Sequence, residues 1–495
     1  MAIKVTPEQA ECARYFVTGE SLKINALAGT GKTTTLCYLA QKGSPRGGRM
    51  LYTSFGKAIV QEAKTRFPTD RVKVSTNHSL AFAHAGSAYG RAGRLAGRVT
   101  ATDLIHRFGL MDHTFAPHAD AKTGAFGVIE TINRFCQSAD KTITIRHAAP
   151  SARRRSSTAK AAGDYAMALT AHARIVWDQM MDLRSTMPIT HDVYLKKWAL
   201  TDPVLPYSTI LLDEAQDTSE LMLDVISRQQ AQIVIVGDTY QQIYSWRGAI
   251  NAMDSVATTH TAALCQSFRF GQAVADVANA VLANHLNVDA RLRGLDSIPS
   301  RIEPVDTPRV VLARTNSVLI GELVQAVADR PGRYGVVGGV DDLIRLVQGA
   351  QTLMEGRRTP VPDLAEFAHW GEVVDAAKEE AYRHLSVLVS LVSEYGTVTL
   401  IRILESVRGN ETDQATCKGL FSTAHKAKGC EFDSVKLADD FRYPPAQGSD
   451  EDTGWTPEDA NLLYVAATRA KHVLDPTNCV AMRDAWGPRP WMPGT

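Results

Sequence analysis

Short apolar runs of three to five residues punctuate the first part of the chain at 22–26, 50–53 and 72–76 and return at 210–212 and 233–236. Runs of this length between turn-forming residues predict parallel strands buried on both faces. A second set begins near Ala263, includes 310–313, and resumes at 419–422 and 435–437. Each set is interrupted by a stretch whose apolar spacing reads as helix. The first interruption, 86–204, is rich in alanine and arginine; the second, 317–418, carries helical patterning such as 364–391. The expected fold class is therefore α/β, with two parallel-sheet domains, each split by a mainly helical insertion. The expected boundaries are 1–85 with 205–262, insertion 86–204, 263–316 with 419–495, and a reduced insertion 317–418. Loops are expected at 43–48 and 444–454, and no repeat of fixed period is visible.

At 495 residues the chain exceeds what one core supports, and about 150 residues per domain suggests roughly three domains. A hydrophobic content of 44% with 22% charged residues is that of a globular protein. The net charge of +1 excludes a wholly basic binder, so a nucleic-acid partner would need a local basic groove. Seven cysteines are scattered without C-x-x-C spacing, which argues against structural zinc, an iron–sulfur cluster or a disulfide framework. The N-terminal residues lack a signal-like apolar region, and no run approaches the ~20 apolar residues of a membrane helix. A cytoplasmic setting, or a nuclear one in a eukaryote, is expected. The triplet Arg153, Arg154 and Arg155 reads as a solvated loop ahead of a phosphate contact.

The richest segment is VGDTYQQIYSWRGA at 236–249. An apolar strand ends in Gly237-Asp238, two amides follow at Gln241 and Gln242, and then come Tyr244, Trp246 and Arg247. Aromatics beside a strand end commonly serve a core. Aromatic rings beside a guanidinium also stack on unpaired bases. Upstream, ALAGTGKT at 26–33 follows a strand and opens a helix, the setting of a phosphate loop. Backbone N–H groups from Ala28, Gly29, Thr30, Gly31, Lys32, Thr33 and Thr34 would hold the phosphates of a nucleotide. Lys32 would add a point charge, and the Thr33 hydroxyl would ligate Mg²⁺. Ala26 stands where the pattern usually has its first glycine. The strand 210–212 delivers Asp213-Glu214, where Asp213 would hold Mg²⁺ through water and Glu214 would polarise the attacking water as general base. Near the start, Thr6-Pro7-Glu8-Gln9 reads most simply as a helix capping box.

Taken in order, these motifs resemble the superfamily 1 helicases of the UvrD/Rep type. The resemblance extends through 54–58, STNHSL at 75–80, QSFRF at 266–270, STAHKAKGCEF at 422–432 and LYVAATRAK at 463–471. It implies two RecA-like domains and roles that composition could not supply. Gln9 would read the adenine edge and Phe268 would stack on the base. Glu431 would contact the ribose, and Gln241 would sense the γ-phosphate. Arg269 and Arg469 would be arginine fingers from the second α/β block. Phe55, His78, Tyr244, Trp246 and His425 would line single-stranded DNA. Gly56, Asn77 and Cys430 depart from the family's usual residues. The strings at 29–35, 266–270 and 431–441 are most similar to the F-box DNA helicase branch, although no F-box is expected because the first motif starts at Thr6.

The resemblance implies an ATP-dependent helicase or translocase that moves 3′ to 5′ on single-stranded DNA and opens tailed duplexes in repair, recombination or replication, working as a monomer with ATP and Mg²⁺. The alternatives are an ATP-driven factor that strips proteins from DNA and an RNA-directed motor.

Overall fold

The computed structural model describes residues 5–149, 158–244, 250–289, 291–365, 367–378, 383–441 and 456–482, with Asp112, Arg383 and His384 described in backbone only. The chain divides into two compact units. The first comprises Met1–Ala26, Lys32–Thr239 and Tyr244–Leu264; the second comprises Leu27–Gly31, Tyr240–Ile243 and Cys265–Thr495.

The first unit is built on a six-stranded sheet of β1 (Leu22–Ala26), β2 (Met50–Ser54), β3 (Val72–Thr76), β4 (Thr209–Leu212), β5 (Gln232–Gly237) and β6 (His260–Leu264), in the order β3-β2-β4-β5-β1-β6. Every pairing is parallel. A strand alternates its side chains between faces, so both faces of a parallel sheet must be covered. Leu211, Val234 and Val236 accordingly join a core with Leu36 and Phe16. Ile210, Leu212 and Ile235 join a second core on the other face. That second core runs on into the stretch 86–204 through Phe135, Tyr165, Leu169 and Trp198. Its helices Ala101–Phe108, Ala121–Gln137, Ala159–Met181 and His191–Ala199 are thus packed on the sheet as one hydrophobic body.

The second unit has its own six-stranded parallel sheet: β7 (Arg301–Ile302), β8 (Val310–Ala313), β9 (Tyr334–Val336), β10 (Gly419–Thr423), β11 (Phe432–Leu437) and β12 (Ala470–Asp475), in the order β7-β12-β11-β8-β10-β9. One core joins β8, β9 and β10 to the helices Asn316–Asp329, Asp341–Met354 and Arg383–Ser406. In Asp341–Met354 the buried Leu343, Ile344, Leu346, Val347, Ala350 and Leu353 follow the helical period.

The strands expected from apolar runs form at the expected places. The sheets are larger than the runs indicated. β6 pairs with β1 at the edge of the first sheet, although the second block was expected to open near Ala263. Its alternating burial is that of an edge strand. β9 falls inside the stretch 317–418 read as helical and pairs with β10. The expectation that no run approaches a membrane helix also needs correction. Leu385–Ser406 has a mean hydropathy of 1.6 and is long and apolar enough to qualify. Gly396, at φ 69° and ψ 154°, breaks it into two shorter helices. Leu385, Leu388, Leu391, Val392, Leu400 and Leu404 pack into the core of the second unit.

Candidate functional site

In the first unit, the phosphate-loop lysine and threonine open the helix Lys32–Gln41. The first N–H groups of a helix have no acceptor within it, and its dipole is positive at that end, so this is where an anion is best held. Beneath it, β4 delivers the two acids. Lys32 Nζ lies 2.9 Å from Glu214 Oε2. The Thr33 hydroxyl donates to Asp213 Oδ2 at 2.7 Å. Tyr52, from the adjacent β2, donates to the same oxygen at 2.7 Å, and the other Asp213 oxygen accepts the Glu214 N–H at 2.9 Å. Glu214 sits in the left-handed region, φ 52° and ψ 47°. Such strain costs on the order of 1–3 kcal/mol and persists only where surrounding contacts impose it. Gln216 Nε2 donates at 2.6 Å to the same Glu214 oxygen, Oε2, that faces Lys32.

Electrostatics follow the geometry. Burial and the neighbouring Glu214 push the Asp213 carboxyl above the usual range, opposed by Tyr52, Lys32 and Thr33. Burial works against the Lys32 ammonium, but Glu214, Asp238 and Asp213 outweigh it and hold its pKa above the ordinary lysine value. The Thr33 hydroxyl and the Asp213 carboxylate are hard oxygen donors side by side, a set that fits Mg²⁺ arriving with nucleotide phosphates.

The capping box expected at Thr6–Gln9 forms: Thr6 N–H donates to Gln9 Oε1 at 3.1 Å, and Gln9 N–H to Thr6 Oγ1 at 3.2 Å. Gln9 Nε2 also donates to Thr35 Oγ1 at 3.1 Å. Both ends of the buried amide are engaged, so reading an adenine edge requires exchanging one of these bonds.

The second unit takes in the turn Leu27–Gly31, which holds Ala28, Gly29, Thr30 and Gly31. Gly29 and Gly31 adopt φ of 73° and 79°, open to glycine at little cost. At Gly29 there is no room for a side chain either: a Cβ would lie 2.5 Å from Ser267 Oγ and 2.8 Å from Arg269 Cβ. The Phe268 N–H donates to the Gly29 carbonyl at 2.8 Å, and the residue is 42% exposed, which leaves room for a stacking partner. Arg269 reaches Glu431 at 3.1 Å and the Thr468 carbonyl at 3.2 Å. Arg469 is 1% exposed and donates to the carbonyls of Val465 and Cys430 and to Thr468 Oγ1. Thr468 therefore touches both arginines. Gln241 is buried, and its carbonyl accepts from Lys428 Nζ at 2.5 Å.

Of the residues expected to contact DNA, Phe55, His78 and Tyr244 line one cavity of about 1070 Å³ in the first unit, together with Arg98, Arg134 and Arg146 from the stretch 86–204. His78 Nε2 is 2.8 Å from Asp192 Oδ1, and its ring meets Phe55, His191 and Tyr194 edge-on. The lining is mixed rather than uniformly basic: Glu130, Asp192, Asp217 and Glu220 share it. Asp192 pairs with His78, and Glu220 with Arg146 at 3.6 Å. Arg98 and Arg134 make no ion pair among the described residues. His425 stands on the turn after β10 in the second unit, half buried. Trp246, Arg247 and the triplet Arg153 to Arg155 lie outside the described residues.

Residues 5–258 match the family model of the UvrD/REP helicase N-terminal domain. The chain belongs to the UvrD/Rep helicase family. Residues 341–477 match the UvrD-like helicase C-terminal domain. Among curated relatives, the F-box DNA helicase protein 1 of Schizosaccharomyces pombe is 31% identical over 92% of this chain and 55% of its own length. The F-box DNA helicase 1 of Gallus gallus is 30% identical over 95% of this chain and 49% of its own. The ATP-dependent DNA helicase PcrA of Leuconostoc citreum is 36% identical over 15% of this chain and 11% of its own length. The chain thus spans about half the length of the F-box helicases it matches. Sequence reading missed Tyr52, Gln216, Asp192, Asn461 and Tyr464. Asn461 and Tyr464 lie in or beside the string 463–471 that carried the resemblance, so their position was visible although their contacts were not.

Proposed function

We propose that this chain is an ATP-dependent DNA helicase or translocase that moves on single-stranded DNA. The observation that carries the reading is the pairing of Lys32 with Glu214 and of Thr33 with Asp213, four side chains placed by one strand end and one helix start. When bound, Mg-ATP supplies a phosphoanhydride whose hydrolysis releases the energy for movement. Lys32 exchanges Glu214 for the phosphates, which frees the carboxylate to take a proton from the attacking water. Thr33 and Asp213 would hold the Mg²⁺ that arrives with the nucleotide. Arg269, whose Cβ backs onto Gly29, carries positive charge toward the phosphate-binding turn, and Arg469 stands behind it on Thr468. Phe268 covers the base, Gln9 reads its edge and Glu431 takes the ribose.

Phe55, His78 and Tyr244 form the strand-binding wall, with Trp246 and His425 as further contacts. Base stacking on an aromatic ring is worth about 1–3 kcal/mol. Tyr244 follows Gln241 by three residues, which ties the phosphate sensor to the DNA wall by covalent chain. Travel 3′ to 5′, a role in repair, recombination or replication, and single-stranded and tailed duplex DNA as partners complete the proposal. ATP hydrolysis with single-stranded DNA and RNA as competing activators tests it: DNA should stimulate turnover strongly and RNA weakly, and equal stimulation would overturn the choice of DNA.

A further inference from the structure

Three side chains outside the expected ATP set grip the backbone on which that set is mounted. The helix Pro457–Ala467 starts from a capping box at Thr456 and Asp459 and is buried from Ala460 onward. From it the Tyr464 hydroxyl accepts the N–H of Ala28 at 3.0 Å, across 436 residues of sequence. Ala28 and Tyr464 are both fully buried, so removing the hydroxyl would strip a buried N–H of this acceptor. Asn461, three residues earlier and so on the same helix face, donates its amide to the Gln242 carbonyl at 3.0 Å. The preceding carbonyl, that of Gln241, is held by Lys428. The Tyr464 ring stands edge-on to Tyr240 at 6.4 Å, at the start of the same loop. Both loops, Leu27–Gly31 and Tyr240–Ile243, fall in the second unit with the helix that holds them.

We propose that Tyr464 and Asn461 are positioning residues for hydrolysis. Tyr464 fixes the phosphate-binding turn through Ala28, and Asn461 fixes the sensor loop through Gln242, so one helix face sets the spacing between them. The two prongs have different consequences. The turn at Ala28 and Gly29 shapes the phosphate cradle, so loosening it weakens ATP binding. The backbone at Gln242 is the stem of the segment leading to Tyr244, so loosening it weakens the transmission of DNA binding to turnover. The inference rests on the ATP-driven motor reading above.

The test is steady-state ATP hydrolysis by the full chain, with and without single-stranded DNA, for wild type, Tyr464→Phe and Asn461→Leu. Tyr464→Phe keeps the ring, and Asn461→Leu keeps the volume. Tyr464→Phe should raise KM for ATP about tenfold while kcat falls less than threefold. Asn461→Leu should lower DNA-stimulated kcat about tenfold with KM for ATP within twofold; Asn461→Ser, which is also too short to reach Gln242, replaces it if the leucine variant does not fold. Equal changes in KM and kcat for both variants, or no change in either, overturn the assignment. Wild-type protein lacking DNA-stimulated hydrolysis would instead overturn the motor reading itself, so the two failures are distinguishable.

Discussion

Lys32 Nζ and Glu214 Oε2 stand 2.9 Å apart, joining the start of the phosphate-loop helix to the acid that follows β4. In the proposed mechanism the pair keeps a cation and a base in register, Lys32 for phosphate and Glu214 for water. Lys32→Ala should reduce DNA-stimulated ATP hydrolysis by at least a hundredfold. Glu214→Gln should do the same while retaining nucleotide binding, because the neutral amide still accepts from Lys32 but cannot take a proton. Turnover and binding of a fluorescent ATP analogue, measured side by side, separate the two. Wild-type hydrolysis by either variant would remove these residues from the site.

The Asp213 carboxyl predicts a pH effect with a definite sign. Burial and Glu214 raise its pKa, while the Tyr52 hydrogen bond lowers it. Tyr52→Phe removes a lowering influence, so the acidic limb of the kcat profile should move to higher pH. The direction of the shift is the prediction: the limb moves up, because a hydrogen bond to the charged carboxylate favours its ionised form. An unmoved limb would show that the limb does not report Asp213.

Gly29→Ala should abolish tight ATP binding without unfolding the protein. Its φ of 73° already strains an L-residue by about 1–2 kcal/mol, and its Cβ would overlap Ser267 and Arg269. At least a tenfold loss of ATP affinity is expected, read by equilibrium titration, with a melting temperature within a few degrees of wild type.

Much of this was legible in the chain. β4 and β5 were visible because parallel strands buried on both faces read as unbroken apolar runs, and the cap at Thr6 was visible because its four residues satisfy one another locally. β9 was not: three residues, Tyr-Gly-Val, carry no periodicity, and only pairing with β10 makes them a strand. β12 hides for another reason, since Lys471 and His472 break its apolar pattern. The apolar helix at Leu385–Ser406 was underestimated because polar residues are spaced along it. The contacts of Tyr464 and Asn461 lay beyond sequence logic, because no local rule says which backbone group a helix residue will meet in a distant loop.

On the DNA side, Tyr244→Ala should weaken single-strand affinity by about 5- to 150-fold, the range that one stacked base of about 1–3 kcal/mol allows, and should impair DNA stimulation more than basal hydrolysis. Arg134→Ala, in the lining of the same cavity, should reduce the slope of log affinity against log salt by about one. Fluorescence anisotropy across a salt series reads both. Unchanged affinity in both variants would make the cavity a structural void.

If hydrolysis at Lys32 and Glu214 drives movement along one strand, unwinding of 3′-tailed, 5′-tailed and blunt duplexes, with Lys32→Ala as the zero, will show it. The 3′-tailed duplex should open in the presence of ATP and Mg²⁺, and the other two should stay closed. Opening of the 5′-tailed duplex alone would reverse the polarity. DNA-stimulated hydrolysis with no duplex opened would contradict the helicase reading.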